Sequence, residues 1–230
     1  MSPALELLDL GRRPYLEVLE LQRDLCRRKI SGELDADLLL LVEHEPVVTL
    51  GRGLRPASLP LPTTALEQRG ITVVDVERGG DVTYHGPGQL VGYPILDLRR
   101  HREDLHWYLR RLEESLIVGL GRLGVPAERN TGLTGVWTSG RKIASIGIHV
   151  KQWVTIHGFA LNVTTDLSFF DLIVPCGIPG VVMTSVAREL DRADDPALWD
   201  EALLAVVEAF RATFGFEAMG GLEPSGAVRS

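Results

Sequence analysis

Apolar residues along this chain follow two periodicities, one typical of amphipathic helices and one typical of buried strands. Helical spacing predicts three helices, over residues 14–30, 103–123 and 196–214. Shorter apolar or alternating stretches predict strands over residues 37–42, 47–50, 71–76, 89–98, 133–138, 141–150 and 155–163. The pattern therefore indicates a protein in which helices cover a sheet.

The last three predicted strands follow one another closely, with breaks only at Ser139-Gly140 and at Lys151-Gln152. Breaks as short as these make hairpins, and a hairpin pairs its two strands in antiparallel fashion. We therefore expect an α+β fold with a mixed, largely antiparallel sheet flanked by helices, and not a doubly wound parallel sheet.

The chain has 230 residues without an internal repeat or a recognisable linker, which predicts a single domain over residues 1–219. Residues 220–230 are rich in Gly, Pro and Ser and are predicted to form a mobile C-terminal tail. Hydrophobic residues make up 45% of the chain and charged residues 24%, which is the composition of a globular protein and not of a disordered one.

Charge and cysteine content limit the function classes. A net charge of −7 argues against a nucleic-acid partner, because binding to phosphates requires a basic surface. The sequence contains no signal peptide and no run of 18 apolar residues, so no membrane insertion is expected. Cys26 and Cys176 are expected to be free thiols of a cytoplasmic protein, and no metal site is expected.

Three short segments carry candidate chemistry, at residues 78–89, 140–147 and 174–178. The first holds four glycines in twelve positions, which allows the backbone to approach a ligand closely. It matches neither the dinucleotide fingerprint nor the phosphate-binding loop. A turn-rich hairpin would also explain the glycines, but Arg78 and His85 favour a binding pocket.

Lys142 opens the second segment, at the start of a predicted strand. Alternation places it on one face with Ala144, Ile146, Ile148 and Val150, whereas Ser145, Gly147 and His149 are placed on the other face. A lysine on an apolar face is desolvated, which favours its neutral form and would allow it to accept a proton. The alternative is a lysine at the strand end whose ammonium group reaches water.

Cys176 stands in a Pro-Cys-Gly turn directly after the apolar residues 172–174. Pro175 restricts the backbone and Gly177 leaves the next position uncrowded, so the turn can present the thiol on a rigid support. Cys26 instead lies in the apolar stripe of the first predicted helix, where it is expected to be a packed, inert hydrophobe. A packed thiol is also the alternative for Cys176, because a nucleophilic thiol needs a nearby cation or base such as Lys142.

Four segments together resemble the signature of the lipoyl(octanoyl) transferase family, namely residues 78–89, 140–147, 157–162 and 175–178. Their order and spacing agree over nearly the whole chain. The resemblance implies a fold like the catalytic domain of biotin and lipoate protein ligases. It also implies that Cys176 accepts the acyl group and that Lys142 favours the Cys176 thiolate. The implied acyl pocket is lined by Arg78, Gly79, Gly80, Asp81, Val82, Thr83, Tyr84, His85, Ser145, Ile146, Gly147, Gly158, Phe159 and Ala160.

The same resemblance implies a complete reaction. An octanoyl or lipoyl group would pass from acyl carrier protein to Cys176, and then to a lysine of a lipoyl domain as a first step of protein lipoylation. The implied acceptors are the lipoyl domains of 2-oxoacid dehydrogenases and the glycine cleavage H protein. Lys142 would deprotonate the acceptor lysine. Because the thioester donor is already activated, neither ATP nor another cofactor is expected.

Three alternatives stay open on the sequence alone. An ATP-dependent lipoate protein ligase would have a similar fold, although it has no need for Cys176. A non-catalytic acyl-binding module would explain the glycines but not the pairing of Cys176 with Lys142. A cysteine hydrolase would use His149 or His157 as its base, although each histidine is more often a structural residue.

Overall fold

The computed structural model describes residues 4–217 and 219–224. Its strands are β1 (Leu5–Arg13), β2 (Asp37–His44), β3 (Val47–Leu50), β4 (Thr72–Asp75), β5 (Val82–His85), β6 (Gln89–Ile95), β7 (Val136–Thr138), β8 (Arg141–Lys151), β9 (Val154–Asn162) and β10 (Met219–Pro224). Its helices are α1 (Tyr15–Ser31), α2 (Thr63–Glu67), α3 (Leu105–Arg122), α4 (Val186–Leu190) and α5 (Leu198–Phe214). No helix of the described part has both the length and the apolar character needed to cross a membrane.

The strands form two sheets. The larger one has the order β10-β1-β2-β6-β9-β8-β7, and the smaller one has the order β4-β3-β5. Strand β1 pairs in parallel with β2 and β10, whereas β2, β6, β9, β8 and β7 follow one another in antiparallel pairs. The expected mixed, largely antiparallel sheet flanked by helices is therefore confirmed.

Strand β2 shows how helices cover both faces of the large sheet. Leu39 and Leu41 pack into the apolar cluster that includes α3 and α5, whereas Leu38 and Leu40 pack into the cluster that includes α1. A strand that is buried on both faces has a continuous apolar sequence. This explains why residues 37–42 show no polar alternation.

The helix boundaries agree with the predicted ones to within two residues and have local causes. Helix α3 begins after Asp104, whose Oδ1 accepts a hydrogen bond from the backbone N–H of Trp107 at 3.0 Å. Helix α1 ends at Ser31, before Gly32, which adopts the left-handed conformation common after a helix.

Besides β10, strands β1 and β5 are not predicted by the sequence pattern. Strand β1 carries four charged residues and Gly11, and most of its positions are only partly buried or exposed. Strand β5 lies inside the glycine-rich segment, where turns were the expected structure. Both gain their regular conformation from neighbouring strands, which local periodicity does not reveal.

The predicted boundary between domain and tail falls inside β10. Residues 219–224 form this strand, which pairs in parallel with β1 at the edge of the large sheet. Strand pairing does not measure mobility, so the predicted mobility of residues 220–224 stays a prediction. Residues 225–230 lie outside the described residues, so the predicted mobility of that part stays a prediction.

Candidate active site

A cavity of about 220 Å³ lies on the face of the large sheet that α1 covers. Its floor includes Val91, Ala160 and Ser145, which are paired side by side on β6, β9 and β8. Tyr15 from α1 lines it as well, and so does Cys176. The cavity therefore joins an apolar floor to the predicted nucleophile.

Gly147 allows the glycine-rich segment to lie close against β8. A Cβ atom at Gly147 would lie 3.0 Å from Cδ of Arg78 and 3.1 Å from the carbonyl oxygen of Gly79. Any larger residue at position 147 would push the glycine-rich segment away from β8. The glycines thus provide close approach between two walls of the cavity.

Most of the predicted pocket residues line the cavity, and Val82 and Tyr84 do not. Alternation along β5 explains the difference, because Val82 and Tyr84 turn towards a third apolar cluster on the opposite side. There the Tyr84 ring stacks on Phe169 with 4.8 Å between ring centroids. The predicted residues that do line the cavity are Arg78, Gly79, Gly80, Asp81, Thr83, His85, Ser145, Ile146, Gly147, Gly158, Phe159 and Ala160.

Cys176 occupies a strained turn at the cavity wall. Its backbone has φ 56° and ψ 17°, a left-handed conformation that residues with a side chain rarely adopt. Its thiol is partly exposed, and Sγ lies 3.6 Å from Oγ of Ser145. Strain of this kind persists only where the surrounding structure imposes it, and it is common at active sites.

Iodoacetamide should therefore modify Cys176 before Cys26. Cys26 is 4% exposed on the covered face of α1, and burial raises the pKa of its thiol. Cys176 is partly exposed beside the cavity. Peptide mapping after limited labelling measures both rates in one sample. Equal rates at the two cysteines would contradict the assignment of Cys176 as the reactive thiol.

Lys142 is fully buried near the same turn. Its Nζ donates a hydrogen bond to the carbonyl oxygen of Thr134 at 2.8 Å and lies 4.0 Å from the centre of the Trp137 ring. Burial lowers the pKa of Lys142, while the nearby Cys176 and Glu113 charges act in the opposite direction. The net effect favours a neutral amine, which is the form able to accept a proton.

Backbone hydrogen bonds bring Lys142 and the cysteine segment together. The N–H of Lys142 donates to the carbonyl oxygen of Val182 at 2.8 Å, and the N–H of Thr184 donates to the carbonyl oxygen of Lys142 at 2.9 Å. Residues 182–184 therefore continue the sheet beside β8, at the point where β9 has ended. This pairing brings the chain that follows Cys176 alongside Lys142.

Arg78 and His85 contribute fixed polar groups to the cavity wall. The Arg78 guanidinium is buried and donates to the carbonyl oxygens of Thr49 and Asp81, both at 2.8 Å. His85 Nδ1 lies 2.7 Å from Oε1 of Gln89, whose amide nitrogen donates elsewhere. His85 Nδ1 therefore carries the proton. Burial, together with neighbouring His44, lowers the pKa of His85 to about 3, so its ring is neutral.

Comparison with known proteins places this architecture in a family. Residues 14–211 match the family model described as the lipoyl protein ligase A/B catalytic domain. This chain belongs to that family. A protein named octanoyltransferase from Nostoc sp. is 48% identical over 208 residues, which is 90% of each chain. Another octanoyltransferase, from Solibacter usitatus, is 49% identical over 215 residues, covering 94% of this chain and 95% of the relative.

Solved structures of the lipoyl protein ligase A/B family confirm the fold. A lipoate-protein ligase A bound with ATP covers all of this chain with a TM-score of 0.69 and 18% identity, over 90% of its own length. A bipartite lipoate protein ligase from Thermoplasma acidophilum also covers all of this chain, with a TM-score of 0.68 and 19% identity, over 88% of its own length. At these identities the likeness concerns the fold alone.

The predicted placement of Lys142 on the same face of β8 as Ala144 is wrong. Lys142 does not share a face with Ala144, because the pairing between β7 and β8 shifts by one residue between Val136 and Trp137. Ile143 and Ala144 both pack into the cluster that includes α3. A bulge of this kind resets the alternation, so Lys142 and Ser145 both face the side that holds Cys176. The predicted desolvation of Lys142 is nevertheless confirmed.

His149 and His157, considered above as bases of a cysteine hydrolase, do not hydrogen-bond to the Cys176 thiol. Among the described residues, the side chain within hydrogen-bond reach of the Cys176 thiol is Ser145. His157 is 1% exposed, and its backbone N–H donates to Oε1 of Gln22 at 2.8 Å. Burial lowers the pKa of His149 and of His157, so both rings are neutral at physiological pH.

Several cavity and site residues carry no signal in the sequence. Tyr15 and Tyr93 line the cavity although they come from a helix and from a strand that appear purely structural. Thr134 and Trp137 surround the Lys142 amine although no motif contains them. Tertiary packing brings these residues to the site, and a single sequence does not reveal it.

Proposed function

We propose that this chain transfers an octanoyl group from an acyl thioester to a lysine of a lipoyl domain, with Cys176 as the covalent acyl carrier. The observation that carries the proposal is the placement of the Cys176 thiol on a strained turn at the cavity wall, near the buried Lys142 amine. The name shared by relatives that are 48% and 49% identical over most of their length supports octanoyl transfer.

The cavity suits a medium-length acyl chain. Val91, Phe159 and Ala160 provide apolar surface on its floor, and Tyr15 and Tyr93 contribute aromatic rings. A hydrocarbon chain bound there would be shielded from water, which is the main source of affinity for such a group. The acyl carbon attached to Cys176 would lie at the cavity edge beside Ser145.

In the first half-reaction, donor binding brings the neutral Lys142 amine into hydrogen-bond contact with the Cys176 thiol, a contact of the kind that often tightens only in the substrate complex. Lys142 then accepts the thiol proton, and the thiolate attacks the carbonyl carbon of the donor thioester. A new carbon–sulfur bond to Cys176 forms, and the bond to the donor sulfur breaks. The departing thiolate takes the proton from the Lys142 ammonium group. Lys142 thus returns to its neutral form while the acyl group stays on the enzyme.

In the second half-reaction, the amine of the acceptor lysine attacks the acyl-Cys176 thioester. Lys142 accepts the proton that this amine loses, and the Cys176 thiolate leaves and is protonated again. The amide product is more stable than the thioester, so the reaction proceeds without ATP. One buried amine of lowered pKa serves both steps.

The proposed donor is acyl carrier protein, which presents its acyl group as a thioester. The proposed acceptors are the lipoyl domains of 2-oxoacid dehydrogenases and the glycine cleavage H protein. We place the reaction in the cytoplasm, where thiols such as Cys26 and Cys176 stay reduced.

Intact-mass analysis after incubation with octanoyl carrier protein tests the proposal. A gain of one octanoyl group, removable by hydroxylamine, should appear without ATP. Addition of an apo lipoyl domain should then discharge the group from the enzyme to the acceptor lysine. Acyl transfer that requires free octanoate and ATP would instead identify a ligase, and tight acyl binding without a covalent product would identify a binding module.

A further inference from the structure

The turn that presents Cys176 is held by a second segment, residues 55–58. The carbonyl oxygen of Ser58 accepts a hydrogen bond from the backbone N–H of Val174 at 2.9 Å. The Arg55 guanidinium donates a hydrogen bond to the carbonyl oxygen of Gly177. These two bonds lie on either side of Cys176, so the short turn is fixed at both ends.

Asp81 hydrogen-bonds to both Arg55 and Ser58, the two residues that hold the turn. Its Oδ2 accepts hydrogen bonds from Nε of Arg55 at 3.1 Å and from Oγ of Ser58 at 2.7 Å. Its Oδ1 accepts a bond from the backbone N–H of Val82 at 2.7 Å, at the start of β5. The Asp81 side chain is only 4% exposed. The buried Asp81 carboxylate therefore connects segment 55–58 to strand β5 of the small sheet.

The charge state of Asp81 agrees with this role. Burial acts to raise the pKa of Asp81, but the hydrogen bonds from Ser58, Val82 and Arg55 outweigh it and hold the pKa below its usual value. The carboxylate therefore remains ionised at neutral pH and can orient the Arg55 guanidinium.

The turn needs such a support because its conformation is unfavourable. Cys176 and Gly177 both have left-handed backbones, with φ 56° and φ 64°. A residue with a side chain leaves this conformation when nothing holds it there. A Cβ atom at Gly177 would overlap both the Arg55 guanidinium and the Asp81 carboxylate, so the support packs directly against the turn.

We propose that Arg55, Ser58 and Asp81 are positioning residues that hold the Cys176 thiol beside Ser145 and the cavity. Arg55 is the member whose side chain contacts the turn directly. Loss of its guanidinium releases the Gly177 peptide and lets Cys176 leave the left-handed conformation. The inference rests on the proposed function, because it concerns the same nucleophile, and it gives Asp81 a role other than contact with the acyl group.

Arg55→Gln tests the inference most directly. Single-turnover acylation of Cys176 by octanoyl-pantetheine, a small thioester that needs no carrier docking, should slow by about ten- to hundredfold. The thioester concentration that gives half the maximal rate should hardly change, because Arg55 does not line the cavity. The melting temperature should also hardly change, because the Arg55 side chain is 63% exposed.

Arg69→Gln is the matched control. Arg69 is exposed and its guanidinium donates to the carbonyl oxygen of Ala65, within its own segment, so its replacement should leave acylation at the wild-type rate. Arg55→Ala provides a chemical test, because guanidinium ion added at low concentration should partly restore its acylation rate. A merely structural arginine would not give this rescue.

A double-mutant cycle with Asp81→Asn tests whether Asp81 acts through Arg55. The double variant should acylate no more slowly than the slower single variant, since both changes remove the same support. Additive losses would show that Asp81 and Arg55 act independently and would overturn the shared role. If Arg55→Gln does not fold, Arg55→Lys replaces it in the test. Because lysine keeps the charge but not the planar group, Arg55→Lys should acylate at a rate between those of the wild-type protein and Arg55→Ala.

Alkylation separates this inference from the proposed function. The rate at which iodoacetamide modifies Cys176 at neutral pH should fall in Arg55→Gln, because the displaced thiol moves away from Lys142, the base proposed to accept its proton. This rate does not depend on any acyl donor, so it tests the positioning role even if the wild-type protein accepts no octanoyl group. Folded Arg55→Gln with wild-type rates of acylation and alkylation would overturn the inference.

Discussion

Cys176→Ala should reduce octanoyl transfer by on the order of ten-thousandfold or more, because the variant lacks the sulfur that carries the acyl group between donor and acceptor. The thiol is partly exposed on a surface turn, so its removal should leave the fold intact. Steady-state transfer to an apo lipoyl domain measures the loss, and intact mass should show no octanoyl adduct on the variant.

Cys26→Ala is the matched control for this experiment. Cys26 packs on the covered face of α1 and is not one of the residues that line the cavity. Its truncation should cost about 1 kcal/mol of folding stability through lost apolar burial, with transfer activity retained. Normal transfer by Cys176→Ala would eliminate the thioester mechanism and leave direct transfer from the donor as the explanation.

Lys142→Arg should slow transfer by about a hundredfold to ten-thousandfold, the usual cost of losing a general base. Arginine keeps a positive charge near Cys176, but it does not release its proton at neutral pH. The variant should therefore still acquire some acyl group on Cys176 and pass it to the lipoyl domain very slowly. Single-turnover kinetics of the two half-reactions measure both steps.

The surroundings of the Lys142 amine make a second variant necessary. A Cβ atom at Gly135 would lie 2.6 Å from Lys142 Nζ, and Thr134 and Trp137 close the other sides. The larger guanidinium therefore risks overpacking this space. Lys142→Met keeps the length of the side chain without its amine, and it should slow both half-reactions. Near-normal transfer by either folded variant would exclude Lys142 as the base.

The pH dependence of stability gives an independent check on the buried amine. Burial lowers the pKa of Lys142 below its ordinary value of 10.5, so folding is penalised wherever the unfolded chain carries the charge. This penalty is full below the folded pKa and vanishes as the pH rises towards 10.5. Lys142→Met should therefore be more stable than the wild-type protein at neutral pH, and this advantage should shrink as the pH rises.

A strained backbone at Cys176 and a desolvated amine at Lys142 lie close together in this molecule. Cys176 has an unfavourable backbone conformation, and Lys142 has an unfavourable environment for its charge. Each would relax in an isolated segment, and each is imposed by contacts from distant parts of the chain. The proposed reactivity of the pair is therefore a property of the folded protein, and the proposed Arg55 support is one of the contacts that would maintain it.

Much of the architecture was determined by the sequence itself. The helices over residues 15–31, 105–122 and 198–214 follow from apolar spacing and local caps, and the hairpins around Ser139-Gly140 and Lys151-Gln152 follow from short breaks between apolar segments. The combination of glycine-rich, lysine and cysteine segments also indicated the family. These features depend on residues close together in the chain, so a single sequence contains them.

The geometry of the site was decided only by tertiary structure. The bulge beside Ile143 turns Lys142 towards the cysteine side, although strict alternation predicted the opposite face. Arg55 reaches Gly177 across more than one hundred positions of sequence, and Asp81 holds it there. Such contacts depend on strand register and on the packing of separate segments. Because strand register and packing form only when the whole chain folds, they cannot be inferred from local sequence patterns.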